Sequence, residues 1–398
     1  MRLPTFVRAF LMDDTMHRLE SMDTLKSRRK ERFASIGRGR VEVGPQTVHI
    51  DLANGCNTNC TTCWDHSPLL DHPRSIEWKR QSMPFERFDE LTDDLAGMES
   101  VEAVILSGMG DPFVNPDIYR CIEKSKRLGW HVTVLTNALL ADPVRIVDLD
   151  VDSMLVSVNG VSPRSYTRFH PNLQDRDFER LQELLAYWSD RGKRFKHVQV
   201  INRDTADELP QMIEFAAQFD AAHVTFKLAS LRNGTEACAI EETQRANLLR
   251  VSIPEARIAA AYLDVQTNLD VFELQLRSGG LTTSPIEDVG CFMGWFYSRV
   301  TVDGRILFCC STQIDVGHLD EGKFSSHWFG DRWTAVRNRL MEGEYFSSCA
   351  QCGKLNQNVK IGRKVREKLG DALYLERTGR GETRTRYRSS RSLPVINM

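Results

Sequence analysis

VHIDLANGCNTNCTTCW, residues 48–64, runs an apolar, β-branched strand straight into a polar loop that carries three cysteines. Five further runs of the same kind follow it at intervals: VEAVILS (101–107), HVTVLTN (131–137), SMLVSVN (153–159), HVQVINR (197–203) and HVTFKLA (223–229). Each is followed by a polar turn and then a segment with helical spacing, the βα alternation of a parallel sheet. Phe178, Leu181, Leu185 and Trp188 recur every three or four residues, as do Met212, Ile213 and Ala216, so each set predicts one buried helix face. Right-handed crossovers curve such a sheet, and six units predict a partial (β/α)6 TIM-type barrel within an α/β fold. Ligands of parallel βα folds sit at the C-terminal strand ends. That rule puts the cysteine loop at the reactive end.

Cys56, Cys60 and Cys63 are spaced Cys-x3-Cys-x2-Cys. Three thiolates on a tight loop can hold three irons of a cubane and leave the fourth iron open to another ligand. A structural zinc would need a fourth ligand, for which His66 or Asp65 is at hand. The cysteines, followed by the aromatic Trp64, resemble the signature of the radical S-adenosylmethionine superfamily. The resemblance implies a 4Fe–4S cluster on the three cysteines, with S-adenosylmethionine chelating the open iron and yielding a 5′-deoxyadenosyl radical on one-electron reduction. It also implies a cofactor site spread over the strand ends. SGMGDP (107–112) is similar to the family's Gly-Gly-Glu-Pro turn, with Gly108, Met109, Gly110 and Asp111 as candidates, although Met109 stands for a glycine and Asp111 for a glutamate. Asn137, Ser157, Asn202 and Arg203 occupy positions similar to those that bind the cofactor's ribose and carboxylate.

A second cysteine set follows the barrel: Cys291, then Gly304-x4-Cys309, then Cys349-x2-Cys352. It resembles the SPASM or shorter twitch extension of the same family, and the absence of cysteines after Cys352 favours the twitch form, with one auxiliary 4Fe–4S cluster. YSRVTVDGRILFCC (297–310) alternates about an Asp303-Gly304 turn, which predicts a hairpin. A helix over about 331–341 would then bring back Cys349 and Cys352. Four cysteines could equally hold zinc, and Cys310 competes with Cys309 as the ligand. Of the remaining thiols, Cys121 shares a helix face with Ile118 and Ile122 and reads as core. Cys238, after the sixth strand, lies on the reactive side, where a thiol could return a hydrogen atom to a substrate radical.

The 398 residues divide into an N-terminal helical extension (1–46), the barrel (47–240), a helical bridge (241–285), the cluster domain (286–360) and a C-terminal helix with a basic tail (361–398). From Lys360 onward there are 11 Lys and Arg against 4 Asp and Glu, yet the net charge of −2 gives no field that would gather nucleic acid. Arg8 and Asp13 interrupt the first apolar stretch before a signal peptide or membrane span is complete, so a cytoplasmic location is expected. Of ten cysteines, the eight in clusters indicate metal chemistry there rather than disulfides. The resemblance further implies an electron donor such as flavodoxin or ferredoxin. Twitch enzymes act on small sugars, aminocyclitols and cofactor precursors, whereas SPASM enzymes frequently modify peptides, often with a separate peptide-grasping module. The 46 residues before the first strand are short for one, so oxidation or epimerisation of a small polar metabolite is expected. Peptide maturation and a non-enzymatic metal-binding scaffold are the alternatives.

Overall fold

The computed structural model describes residues 23–279 and 282–380. The six apolar runs form parallel strands β1 (Thr47–Ala53), β2 (Ala103–Gly108), β3 (His131–Thr136), β4 (Ser153–Ser157), β5 (Phe195–Ile201) and β6 (Val224–Leu228), each hydrogen-bonded to the next. Val48, Ile50, Val104, Leu106, Val132 and Val134 are wholly buried, as strands covered by helices require. The helix Asp175–Ser189 buries Phe178, Leu181, Leu185 and Trp188, and Leu209–Gln218 buries Met212, Ile213 and Ala216. The expected stripes therefore face the sheet, and the fold is the partial barrel.

The sheet continues past β1. Strand β7 (Tyr297–Val300) lies parallel against its other edge, from Thr47 opposite Tyr297 to Ile50 opposite Val300. Strands β8 (Arg305–Leu307) and β9 (Asp315–His318) then extend the sheet antiparallel. The hairpin turns where the Asp303-Gly304 pair sets it, with Gly304 at φ +97°. Without β7, the backbone donors and acceptors on that side of β1 would lie bare. The opposite edge, β6, is closed differently: Asn268 accepts from Phe226 N at 2.7 Å and donates to Phe226 O at 2.9 Å.

Residues 242–278 are mainly helical, as expected of the bridge. The helix Asp331–Met341 returns the chain toward Cys349, and its Trp333 packs against Trp328 at 4.4 Å and Phe308 at 5.5 Å. A helix over 23–38 covers the far end of the barrel, where buried Arg32 donates to Gly44 O and Ser100 O. Arg377, from the helix Asp371–Arg377, donates to Ile36 O and Gly37 O at that helix's end. The basic stretch 381–398 and residues 1–22 lie outside the described residues. No helix among the described residues is long and apolar enough to cross a membrane.

Candidate active site

Strand β1 delivers the cysteine loop, and side chains from three directions hold it. Asn54 is pinned to Gln81 by backbone and side chain. Asn172, beyond β4, accepts from Asn59 N at 2.9 Å and donates to Asn57 O at 2.8 Å. Within the loop, the Thr58 hydroxyl lies 3.3 Å from Cys56 Sγ and 3.5 Å from Cys60 Sγ. Burial pushes the Cys56 thiol up to about 11, and Asp111 adds to the shift. Burial and then the neighbouring thiols raise Cys60, and burial raises Cys63. Crowded, half-buried thiols of this kind resist ionising alone and release their protons to solvent when a metal takes their place. Among the described residues no three His, Cys, Asp or Glu side chains close round a single ion; a cubane takes one thiolate at each of its iron corners. The donor set fits that cluster.

The turn after β2 is pressed onto this loop. Gly110 N donates to Ala53 O at 3.1 Å and Asp111 N to Gly55 O at 2.9 Å. A Cβ on Gly110 would stand 1.8 Å from Gly55 O, so glycine is needed for the close approach of two backbones. Asp111 is buried, and both its oxygens are taken. One accepts from Phe113 N at 3.0 Å, the other from Thr136 Oγ1 at 2.7 Å and Asn137 N at 2.8 Å. The carboxylate ties the ends of β2 and β3 together rather than projecting outward. Asn137 in turn donates to Asn57 Oδ1 at 2.9 Å and stands 3.9 Å from Cys56 Sγ.

Both cysteine sets open onto one cavity of about 730 Å³, lined by Cys63 and Trp64 on one side and Cys291, Cys309, Cys310, Cys349 and Cys352 on the other. Gly108 and Met109 also line it. Trp64 donates from Nε1 to Ser230 O at 2.6 Å. Ser157 ends β4 half-buried. Buried Asn202 spends its Oδ1 on Asp204 N, Thr205 N and Thr205 Oγ1, and Arg203 is exposed. Neither these three nor Asn137 lines the cavity. Cys238 ends a short 3-10 turn, Thr235–Cys238, buried behind the cysteine loop with its thiol 3.8 Å from Thr61 O. Cys121 is core.

In the second set, burial and then Cys352 raise the Cys291 thiol. The hydrogen bond from Cys309 holds the Cys310 thiol below its ordinary range, and Lys354 and Arg299 add to the effect. Beneath this set lies a buried polar group absent from the sequence expectations. Arg299 of β7 meets Asp51 of β1 through Nε at 2.9 Å and Nη2 at 3.0 Å, and its Nη2 stands 3.5 Å from Met109 Sδ. His49 bridges the Tyr297 hydroxyl, at 2.9 Å, and Ser107. Burial opposes the Arg299 charge, but Asp51 more than restores it. Lys227 of β6 projects into the same cavity. The available signal was charge at alternate positions of strands covered on both faces: His49 and Asp51 in VHIDLAN, Lys227 in HVTFKLA.

The Radical SAM superfamily profile matches residues 50–216, and that of the SPASM iron–sulfur cluster-binding domain matches residues 291–353. The chain belongs to the radical SAM superfamily and carries a SPASM-type C-terminal domain. Its cofactors are those of the family: a 4Fe–4S cluster, S-adenosylmethionine and further iron–sulfur in the C-terminal domain. The AdoMet-dependent heme synthase of Methanosarcina barkeri is 22% identical over 71% of this chain and 82% of its own. The tungsten-containing aldehyde ferredoxin oxidoreductase cofactor-modifying protein of Pyrococcus furiosus is 19% identical over 42% of this chain and 47% of its own. Among solved structures, Streptococcus suis SuiB bound to S-adenosylmethionine superposes with a TM-score of 0.58, at 15% identity, over 94% of this chain and 86% of that one. The anSMEcpe enzyme with bound AdoMet and a Cp18Cys peptide gives 0.58 at 13% identity, over 79% and 88%.

Proposed function

We propose that this enzyme takes a hydrogen atom from a small polar substrate lodged between its two cysteine sets, and that the outcome is oxidation. The observation that carries the reading is the shared cavity, lined by both sets. When bound, the cluster at the first set and S-adenosylmethionine supply a hydrogen-abstracting carbon radical, and the cluster at the second supplies an electron acceptor.

The protein binds, orients and excludes water. Cys56, Cys60 and Cys63 hold the first cluster, with Asn137 beside Cys56. Cys291, Cys309, Cys349 and Cys352 hold the second; the Gly304-x4-Cys309 count selects Cys309 over Cys310. Gly108 and Met109 would hold the S-adenosylmethionine, and Ser157, Asn202 and Arg203 would offer polar groups at neighbouring strand ends. Gly110 and Asp111 position Gly108 and Met109. Trp64 walls the cavity and is fixed by Ser230. Arg299, held by Asp51, supports Met109 from below. A flavodoxin- or ferredoxin-type donor provides the electron.

The cavity of about 730 Å³ is lined by Gly108 and Met109 and so would take S-adenosylmethionine as well as the substrate, which favours a small one. Maturation of a peptide is the second reading, favoured by the likeness to SuiB, which has also been solved bound to the precursor peptide SuiA. There the cavity would take a single side chain. Anaerobically reconstituted, reduced enzyme should turn S-adenosylmethionine over to 5′-deoxyadenosine and methionine in equal amounts, and Cys63→Ala should abolish it. Transfer of deuterium into 5′-deoxyadenosine from a panel of labelled metabolites and peptides identifies the substrate. Absence of 5′-deoxyadenosine from the wild type sinks the reading. Cys238 is the thiol an epimerisation would use, so a Cys238→Ala variant with unchanged product stoichiometry supports oxidation and a changed one opposes it.

A further inference from the structure

Four cations line the cavity: Arg74, Lys227, Arg232 and Arg299. Two are neutralised by the protein. Arg74 donates to Asp65 at 2.7 Å, and Arg299 is paired with Asp51 at 2.9 Å. Lys227 and Arg232 meet no carboxylate among the described residues. Both come from β6 and the loop after it, so one strand end presents two positive charges to the same space.

Their settings differ in a way that suits one ligand. The Arg232 guanidinium stands over the Trp64 ring, its carbon 3.8 Å from the ring centre, and Trp64 is itself anchored to Ser230. A cation held over an aromatic ring, with its N–H donors unspent, can receive a two-oxygen anion. Lys227, on the barrel strand β6, is exposed to the cavity, and the protein packed around it lowers its pKa. With no carboxylate of the protein paired to it, its charge is free for a ligand's anion. Val200 and Leu228 beside these cations, with Ile286 and Met293 from the C-terminal domain, add apolar surface that suits a carbon skeleton.

We propose that Lys227 and Arg232 bind a carboxylate of the substrate, which makes the substrate a carboxylic acid, either free or as the side chain of a peptide. This rests on the cavity being the substrate site, as proposed above. The competing account is that Lys227, which faces Cys310, only balances the charge of the second cluster. Calorimetric titration of the reconstituted holoenzyme, with S-adenosylmethionine bound, separates the two. The probes are succinate and a capped Gly-Glu-Gly tripeptide, each against its uncharged twin, succinamide and Gly-Gln-Gly.

We expect saturable binding of at least one acid and none of its amide; whichever acid binds more tightly tells the free from the peptide source. Lys227→Met and Arg232→Gln should each weaken it about tenfold or more, while Lys227→Arg stays within about threefold. Arg232 is exposed at the mouth, so its variant should fold even if Lys227→Met does not; cluster absorbance near 400 nm reports loading. Equal binding of acid and amide overturns the proposal, as do wild-type affinities in Arg232→Gln. A shifted potential of the second cluster in Lys227→Met with unchanged acid affinity assigns that lysine to the cluster and overturns it too. Binding is read without turnover, so it stands or falls apart from 5′-deoxyadenosine formation.

Discussion

His197 carries no chemistry, yet its surroundings make a sharp prediction. Its ring lies 5.6 Å from both Phe195 and Phe215, neither nitrogen has a partner, and burial lowers its pKa to about 3. The unfolded chain therefore takes this proton first, as pH falls through about 6.5, and stability drains from there down to the folded value. Between pH 6.5 and 5 this histidine alone should remove about 2 kcal/mol of unfolding free energy. His197→Phe should show that much less loss than wild type in urea titrations at the two pH values; equal losses would contradict the assignment. Asp111 is the residue whose role the sequence suggested least well. A Gly-rich turn ending in an acid suggests a ligand contact, but a sequence does not show that Phe113 N of the same turn, with Thr136 Oγ1 and Asn137 N at the end of β3, claims both oxygens. Asp111→Ala should cost about 3 kcal/mol by stranding those donors, read in denaturant. At the second set, Cys309→Ser should lose about four irons per chain and Cys310→Ser none; the reverse result would exchange their roles.

Strands and helices were legible because their signals are local. The six apolar runs, the stripes on 175–189 and 209–218, the Asp303-Gly304 turn and the helix from Asp331 all stand where period and turn chemistry put them. What escaped was pairing at long range. Nothing in VHIDLAN announces that its open edge will receive residues 297–300, about 250 positions later, because strand partners are chosen by the folded sheet. The Asp51–Arg299 pair escaped for the same reason: its halves are 248 residues apart and meet only when β7 docks on β1. Arg299→Met leaves a buried carboxylate unpaired and should cost about 3–5 kcal/mol. A pair lost together, Asp51→Asn with Arg299→Met, should recover much of that in a double-mutant cycle. If the single change were neutral, the pair would not secure the junction of barrel and C-terminal hairpin.

Across the whole molecule, that junction explains why two cysteine sets separated by more than 220 residues share one chamber. The β7–β9 hairpin extends the barrel sheet, so the second set is fixed relative to the first by backbone hydrogen bonds rather than by a flexible linker. Helix 23–38 and the helix at 371–377 clasp each other at the far end, leaving the C-terminal strand ends free for chemistry. The account depends on the first set leaving one iron open for S-adenosylmethionine. A Cys349→Ala/Cys352→Ala variant, reconstituted and reduced, isolates that cluster for electron paramagnetic resonance. That variant should hold about four irons per chain and give a spectrum whose g values shift when S-adenosylmethionine is added. A spectrum that does not move on addition would mean that no iron is open to the cofactor, and would contradict it.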